Sequence, residues 1–214
     1  MSDDRMERML DLCDQIRSCR KCELRGHYDC PVAFVGSVTA PIVLVGEAPG
    51  AEEVAEGKPF VGRSGQLLRR AVERAGLDPK HDVFVGNVVC CRPPDNKFPD
   101  DDSIVETCLG WIRAAMEIVR PSVVVAVGGK PHAYLRGSDS PITRSCGTSE
   151  RWSMPLSTGD LEVWYVPTLH PSFCLRPGRP DSPNAVMALD SPEKKGLLLK
   201  HLVAAKELAG IREG

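Results

Sequence analysis

Pro41-Ile-Val-Leu-Val-Gly-Glu-Ala-Pro-Gly50 reads as a buried strand that stops in a tight turn. Ile42 to Val45 are aliphatic without alternation, as expected of a strand covered on both faces, and Gly and Pro then punctuate the chain. The pattern returns downstream at Val83 to Val89, Val123 to Val127 and Leu161 to Val166. Helical patterns separate these runs. Ser64 precedes a helix over Gln66 to Ala75, stopped by Gly76. Asp101 or Asp102 caps a helix carrying Ile104, Val105, Cys108, Ile112, Ala115 and Val119, which ends before Pro121. Gly128-Gly-Lys-Pro131 leads into a short helix, and Glu193 to Leu208 reads as a closing one. Upstream, Met6, Leu10, Cys13 and Arg17 recur at helical spacing and predict an amphipathic N-terminal helix. Tyr28 to Thr39 reads as a loop with at most one edge strand, and the Ser/Gly/Thr-rich stretch to about Thr158 as irregular. Strands alternating with helices imply right-handed crossovers and a mainly parallel sheet, so the class is α/β.

The chain has 214 residues, 42% hydrophobic and 26% charged, which argues against a disordered tail, a collagen-like rod or a coiled coil. Its 27 basic and 29 acidic residues nearly cancel, so no large positive field advertises a polyanionic partner, although a local basic groove remains allowed. No apolar run approaches the roughly 20 residues that span a bilayer. The polar start Met-Ser-Asp-Asp-Arg5 is followed by no apolar signal core, and a cytoplasmic location is expected. In such a reducing compartment nine cysteines serve as metal ligands, nucleophiles or core filler more often than as disulfides.

In parallel sheets ligands bind beyond the carboxyl ends of the strands. Four unusual segments fall there: Gly46 to Gly50, Asn87 to Pro94, Gly128-Gly129 and His170-Pro-Ser172. The first is no phosphate loop, because it lacks both the Gly-Lys-Ser/Thr ending and the three-glycine dinucleotide spacing. Beyond it, Gly57-Lys-Pro-Phe-Val-Gly-Arg-Ser-Gly65 holds an aromatic between glycines, suited to stacking a flat ligand. Read alone, Asn87 is a common turn residue, His170 is as often structural as catalytic, and Glu52-Glu53 is more often a solvated loop charge.

Together, Gly46-Glu-Ala-Pro-Gly50, Pro59-Phe-Val-Gly-Arg-Ser-Gly-Gln-Leu-Leu68, Asn87-Val-Val-Cys-Cys-Arg-Pro-Pro94, Asn96 and His170-Pro-Ser172 resemble the iron-sulfur, thermostable-type (family 4) uracil-DNA glycosylases, in order and over roughly Cys19 to Arg176. The resemblance implies a three-layer α/β/α sandwich around a central four-stranded, mainly parallel sheet, formed by residues 1–214 as one domain with a cluster-binding N-terminal helix and loop over about 1–40. It implies excision of uracil from single- or double-stranded DNA by a monomeric enzyme that leaves an abasic site. The alternative is a non-catalytic uracil- or DNA-binding module of the same fold.

The resemblance also assigns residues. Cys19, Cys22, Cys91 and Cys108 would hold a 4Fe-4S cluster; spacing alone cannot choose between iron and zinc, and it is the resemblance that makes zinc the less favoured occupant. Cys91 is preferred over Cys90, which is expected to point the other way; Cys13, Cys30, Cys146 and Cys174 read as structural. Asn87 would donate to uracil O4 and accept from N3–H, an order that cytosine reverses. His170 would stabilise negative charge at O2, Phe60 would stack the base, and Gly46, Glu47 and Ala48 would line the opposite wall. Glu53 sits where a water-positioning carboxylate is expected. The family often has Asp at the next position, where this chain has Val54, so any help from a second acid is missing. Arg63, Ser172, Leu175 and Arg176 are the candidate DNA contacts, with Leu175 or Arg176 as a minor-groove wedge. Lys97, Arg144 and Arg179 offer further positive charge near the same loops.

Overall fold

Strands that are aliphatic throughout need cover on both faces, and two helical layers supply it. A computed structural model of the protein describes residues 2–26, 31–137, 140–175 and 192–212. In chain order the elements are α1 (Ser2–Ser18), β1 (Val35–Gly36), β2 (Ile42–Gly46), α2 (Ala51–Glu56), α3 (Arg63–Arg74), β3 (Val83–Asn87), α4 (Asp102–Val119) and β4 (Val123–Val127). They continue with α5 (Gly129–Arg136), α6 (Ile142–Ser145), β5 (Glu150–Met154), β6 (Leu161–Thr168), α7 (Pro171–Leu175) and α8 (Pro192–Leu208).

The sheet has the order β1-β3-β2-β4-β6-β5. Its central four strands are parallel, with Ile42 opposite both Val83 and Val123. Alternate side chains enter different cores. Ile42 and Leu44 join Leu68 and Val72 of α3 and Leu198 and Leu202 of α8. Val43 and Val45 face the other layer, with Ile16 of α1 and Leu109, Ile112 and Met116 of α4. Full burial of one Leu or Ile contributes about 1.5–3 kcal/mol. The Asp101 cap on α4, which accepts from the Ser103 N–H at 2.8 Å, contributes about 1 kcal/mol, so packing holds that helix more than capping does.

The α/β/α architecture matches expectation, but among the described residues the sheet has six strands rather than four. Two antiparallel edge strands flank the parallel centre. β5 lies in the stretch read as irregular. It forms because Trp152 and Met154 point inward while Arg151 and Ser153 point out, and Trp152 sets its ring edge-on to Tyr165 at 5.3 Å. A second correction is α2, in a segment read as a long loop.

Two buried histidines make stability depend on pH. His132 and His201 are 5% and 4% exposed and bonded at Nδ1 to Tyr165 Oη and Thr168 Oγ1, each at 2.9 Å. Burial lowers both pKa values below the ordinary imidazole range, helped by Arg136 at His132 and by Lys200 at His201, while Glu150 opposes the shift at His132. A depressed folded-state pKa means that the unfolded chain takes up protons first. The contribution is therefore whole above about pH 6.5 and is lost as pH falls through the folded-state values. Melting curves are expected to show a lower Tm at pH 5 than at pH 7.5, with a smaller drop in His201→Gln.

Candidate active site

β2 and β3 end side by side, with Gly46 opposite Asn87. This register puts the turn after β2 against the carboxamide that closes β3. Gly46 is required by close approach: a Cβ there would lie 2.5 Å from Asn87 Oδ1 and against the Phe60 ring. Asn87 is 5% exposed, and its amide has no side-chain hydrogen bond among the described residues. Its polar atoms are available to whatever fills the cavity in front of it.

Phe60 has φ 56, in the left-handed region that a bulky aromatic rarely occupies. Such a conformation costs of order 1–3 kcal/mol, so the surrounding loop must enforce it. Glu53 is the brace. Glu53 is 9% exposed, and its carboxylate accepts from the Gly50 N–H at 3.0 Å and the Gly62 N–H at 2.9 Å. One main-chain donor on each oxygen offsets the cost of burying the charge and ties the turn after β2 to the turn after Phe60. Glu53 borders the cavity as expected, and the structure gives it this clamping role.

His170 follows β6 and starts the turn into α7. The Ser172 N–H, 3.2 Å from His170 Nδ1, can only donate, so Nδ1 accepts and the neutral ring carries its proton on Nε2. Ser172 Oγ lies 2.7 Å from the same nitrogen and fixes the ring further. The His170 and Phe60 ring centroids are 6.3 Å apart. Gly128 lets the two walls meet: at φ 116 it faces Glu47 Oε1 and His170, with 2.8 Å from its Cβ position to the former and 3.2 Å to His170 Cβ.

These residues line one cavity of about 610 Å³. Glu47, Ala48, Glu53, Phe60, Arg63, Asn87, His170, Ser172 and Leu175 all border it, with Gly46 packed behind Phe60 and Asn87. Arg176, Arg179 and Cys30 lie outside the described residues. Lys97 is exposed and does not line the cavity. The structure adds Phe98, whose ring meets Tyr134 at 5.6 Å and Lys130 Nζ at 5.1 Å. No periodic signal marks Phe98, which sits in a Pro/Asp-rich loop. Asn96, quoted among the motif residues, reaches the same wall and accepts from Arg92 Nε at 2.9 Å.

The model of the uracil DNA glycosylase superfamily matches residues 33–189, a span that contains every cavity residue named above. The chain belongs to this superfamily. It is 36% identical to the Type-4 uracil-DNA glycosylase of Saccharolobus solfataricus over 168 residues, covering 78% of this chain and 77% of that one. Identity to the protein of the same name from Thermotoga maritima is 35% over 173 residues, with 80% and 85% covered. For Sulfurisphaera tokodaii the values are 34% over 195 residues, with 89% and 84% covered.

In this uracil DNA glycosylase superfamily member four thiols gather away from the cavity, beside α4. Cys19 and Cys22 follow α1, Cys91 follows β3 and Cys108 lies on α4, and charges on these residues act on one another. Burial first, and then Cys108, Cys22 and Cys19, push the Cys91 thiol up to about 12. Burial also raises Cys22. Cys108 is held low, chiefly by its hydrogen bond with the Cys90 thiol, with help from Lys21. Cys90 therefore turns toward Cys108 rather than away from it, because the chain bends over residues 88–91 and regular strand alternation is broken there.

As thiolates these soft donors would repel one another, with Arg25 and Lys21 easing their deprotonation, and that donor chemistry suits an iron-sulfur or zinc occupant. Among the described residues no group of three or more His, Cys, Asp or Glu side chains is arranged to hold a metal ion. Cys13 and Cys174 are buried and Cys146 partly so.

Proposed function

We propose that this chain is a monofunctional uracil-DNA glycosylase of base-excision repair, which takes an extruded deoxyuridine into the cavity and hydrolyses its N-glycosidic bond. The observation that carries this reading is the convergence of Phe60, Asn87 and His170 on one cavity in a member of this superfamily. The buried Asn87 amide donates to uracil O4 and accepts from N3–H. Cytosine reverses that order, and mispairing a buried polar group costs about 1–3 kcal/mol. Phe60 stacks on the base.

As the C1′–N1 bond breaks, its electron pair leaves with uracil, and His170 Nε2–H stabilises the charge growing on O2. Water adds to C1′ and loses a proton, and uracil departs as the neutral base after protonation. Glu53 orients that water and offsets the positive sugar through lone pairs not taken by Gly50 and Gly62. Arg63, Ser172, Leu175 and Arg176 take the DNA around the extruded nucleotide, in single or double strands. Residues 1–214 act as one monomeric domain at intracellular DNA, and no helix of the described residues is long and apolar enough to cross a membrane.

Cys19, Cys22, Cys91 and Cys108 would hold a 4Fe-4S cluster, which would tie the segment after α1 to α4 and the loop after β3. Purified protein is expected to carry about four iron and four sulfide per chain with visible iron-sulfur absorption, both lost in Cys108→Ser. Colourless protein with stoichiometric zinc would replace iron by zinc in this reading.

The function itself is tested with a labelled oligonucleotide bearing one deoxyuridine, treated with alkali after incubation. Cleavage at uracil and not at cytosine or thymine is the expected result. In Asn87→Ala uracil release should fall about 10–100-fold, the equivalent of the mispairing energy. No cleavage by cluster-loaded protein would favour the binding-module alternative motivated by Val54.

A further inference from the structure

His132, on α5, has two ring nitrogens with different fates. Nδ1 lies 2.9 Å from the Tyr165 hydroxyl, whereas Nε2 is buried and has no partner among the described residues. Burial raises the Tyr165 pKa, so its phenol keeps its proton and can donate to Nδ1. Burial and then Arg136 keep His132 neutral, and the imidazole proton then sits on Nε2. A buried N–H donor is thereby left without an acceptor, a situation that native structures rarely leave unexplained.

The ring borders a cavity of about 230 Å³, separate from the one at His170 and lined also by Arg136, Arg144, Ser145, Thr148 and Glu150. Arg136 is paired with Glu150 at 2.9 Å and lies 5.4 Å from the Trp152 and Tyr165 ring centroids, which orients its guanidinium. Arg144 has no carboxylate partner among the described residues. Among the described residues, the cavity is bordered by two guanidinium groups and one carboxylate, that of Glu150. A water molecule would engage Nε2 alone, whereas an oxyanion engages Nε2–H and the exposed Arg144 guanidinium together.

We propose that this cavity is a phosphate subsite, in which a tetrahedral oxyanion accepts hydrogen bonds from His132 Nε2 and Arg144, with Arg136 completing the positive wall. The same chemistry has two sources: a backbone phosphate of bound DNA, or free inorganic or nucleotide phosphate. Only the DNA source rests on the function proposed above. α5 connects the two places, since it begins beside Gly128 and His170 and presents His132 one turn later.

The test uses the full chain and two probes. Inorganic phosphate is titrated at constant ionic strength while the His132 ring ¹⁵N signals are followed. Saturable movement of Nε2 is expected, with affinity at least about tenfold weaker in Arg144→Ala, a change at an exposed side chain that leaves the fold intact by circular dichroism. Separately, the dependence of duplex affinity on salt is measured for both proteins. A log–log slope shallower by about 0.9 in Arg144→Ala assigns the site to a DNA phosphate. Saturable phosphate binding with an unchanged slope assigns it to a free phosphate. No movement of His132 and no slope change overturn the proposal and leave water in the cavity. Failure of the glycosylase reading would show instead as absent uracil release, with the phosphate titration unaffected.

Discussion

His170→Ala is expected to lower the single-turnover rate of uracil release by about 10²–10³-fold, the range for removing one pre-aimed donor to a developing oxyanion. Binding of uracil-containing DNA should change only a few-fold, because the interaction strengthens as the bond breaks rather than in the ground state. The argument depends on which nitrogen carries the proton. The Ser172 main-chain N–H commits Nδ1 to accepting, leaving Nε2 as the donor. Ser172→Ala keeps that main-chain bond and loses only the hydroxyl contact, so its rate should lie between wild type and His170→Ala. Rapid-quench measurements with saturating protein separate rate from binding. Equal losses in affinity and rate for His170→Ala would remove His170 from the transition state and make it a binding residue.

Gly46→Ala is expected to reduce kcat/KM for uracil release by about 100-fold or more, although it adds a single methyl group. The new Cβ would meet Asn87 Oδ1 and the Phe60 ring at once. Either both move or β2 does, and a shift near 1 Å in a positioning group can cost 10²-fold. Gly46 lies in a parallel strand paired with Asn87 on one side, so the ladder has little room to absorb the change. Overpacking of this kind costs about 1–3 kcal/mol, which should leave the protein folded and its metal content unchanged. Steady-state kinetics with parallel melting curves would check this. Wild-type activity would show that Phe60 and Asn87 can be displaced without consequence, and the close approach would then have no bearing on turnover.

The parallel core was legible because physics writes it plainly. Strands buried on both sides must be aliphatic at every position, and Ile42–Val45 and Val123–Val127 are. The edge strands escape the same logic. β1 is two residues long, and β5 alternates for only four residues amid Ser, Gly and Thr. α2 is hidden because its N-cap is Gly50, with no side chain to announce it, and Glu53, whose carboxylate accepts from the Gly50 N–H, reads as one of two solvated charges.

At the site, Asn87, Phe60 and His170 could be singled out by motif, and they converge as expected. The positive φ of Phe60 could not be read, because neighbouring glycines suggest freedom without saying which residue uses it. Strand alternation puts Cys90 opposite to Cys91, and the bend over residues 88–91, which no residue type announces, undoes that expectation.

The Glu53 clamp has a bearing on how the pocket chooses its guest. Joining the Gly50 and Gly62 amides through one carboxylate makes the wall that bears Phe60 a closed loop, rigid before any nucleotide arrives. A preformed wall pays no ordering entropy on binding, and it also does not yield. Ring size and bulk are then judged by a fixed gauge, so a base with one substituent too many is turned away by stiffness, independently of how well its polar edge would match Asn87.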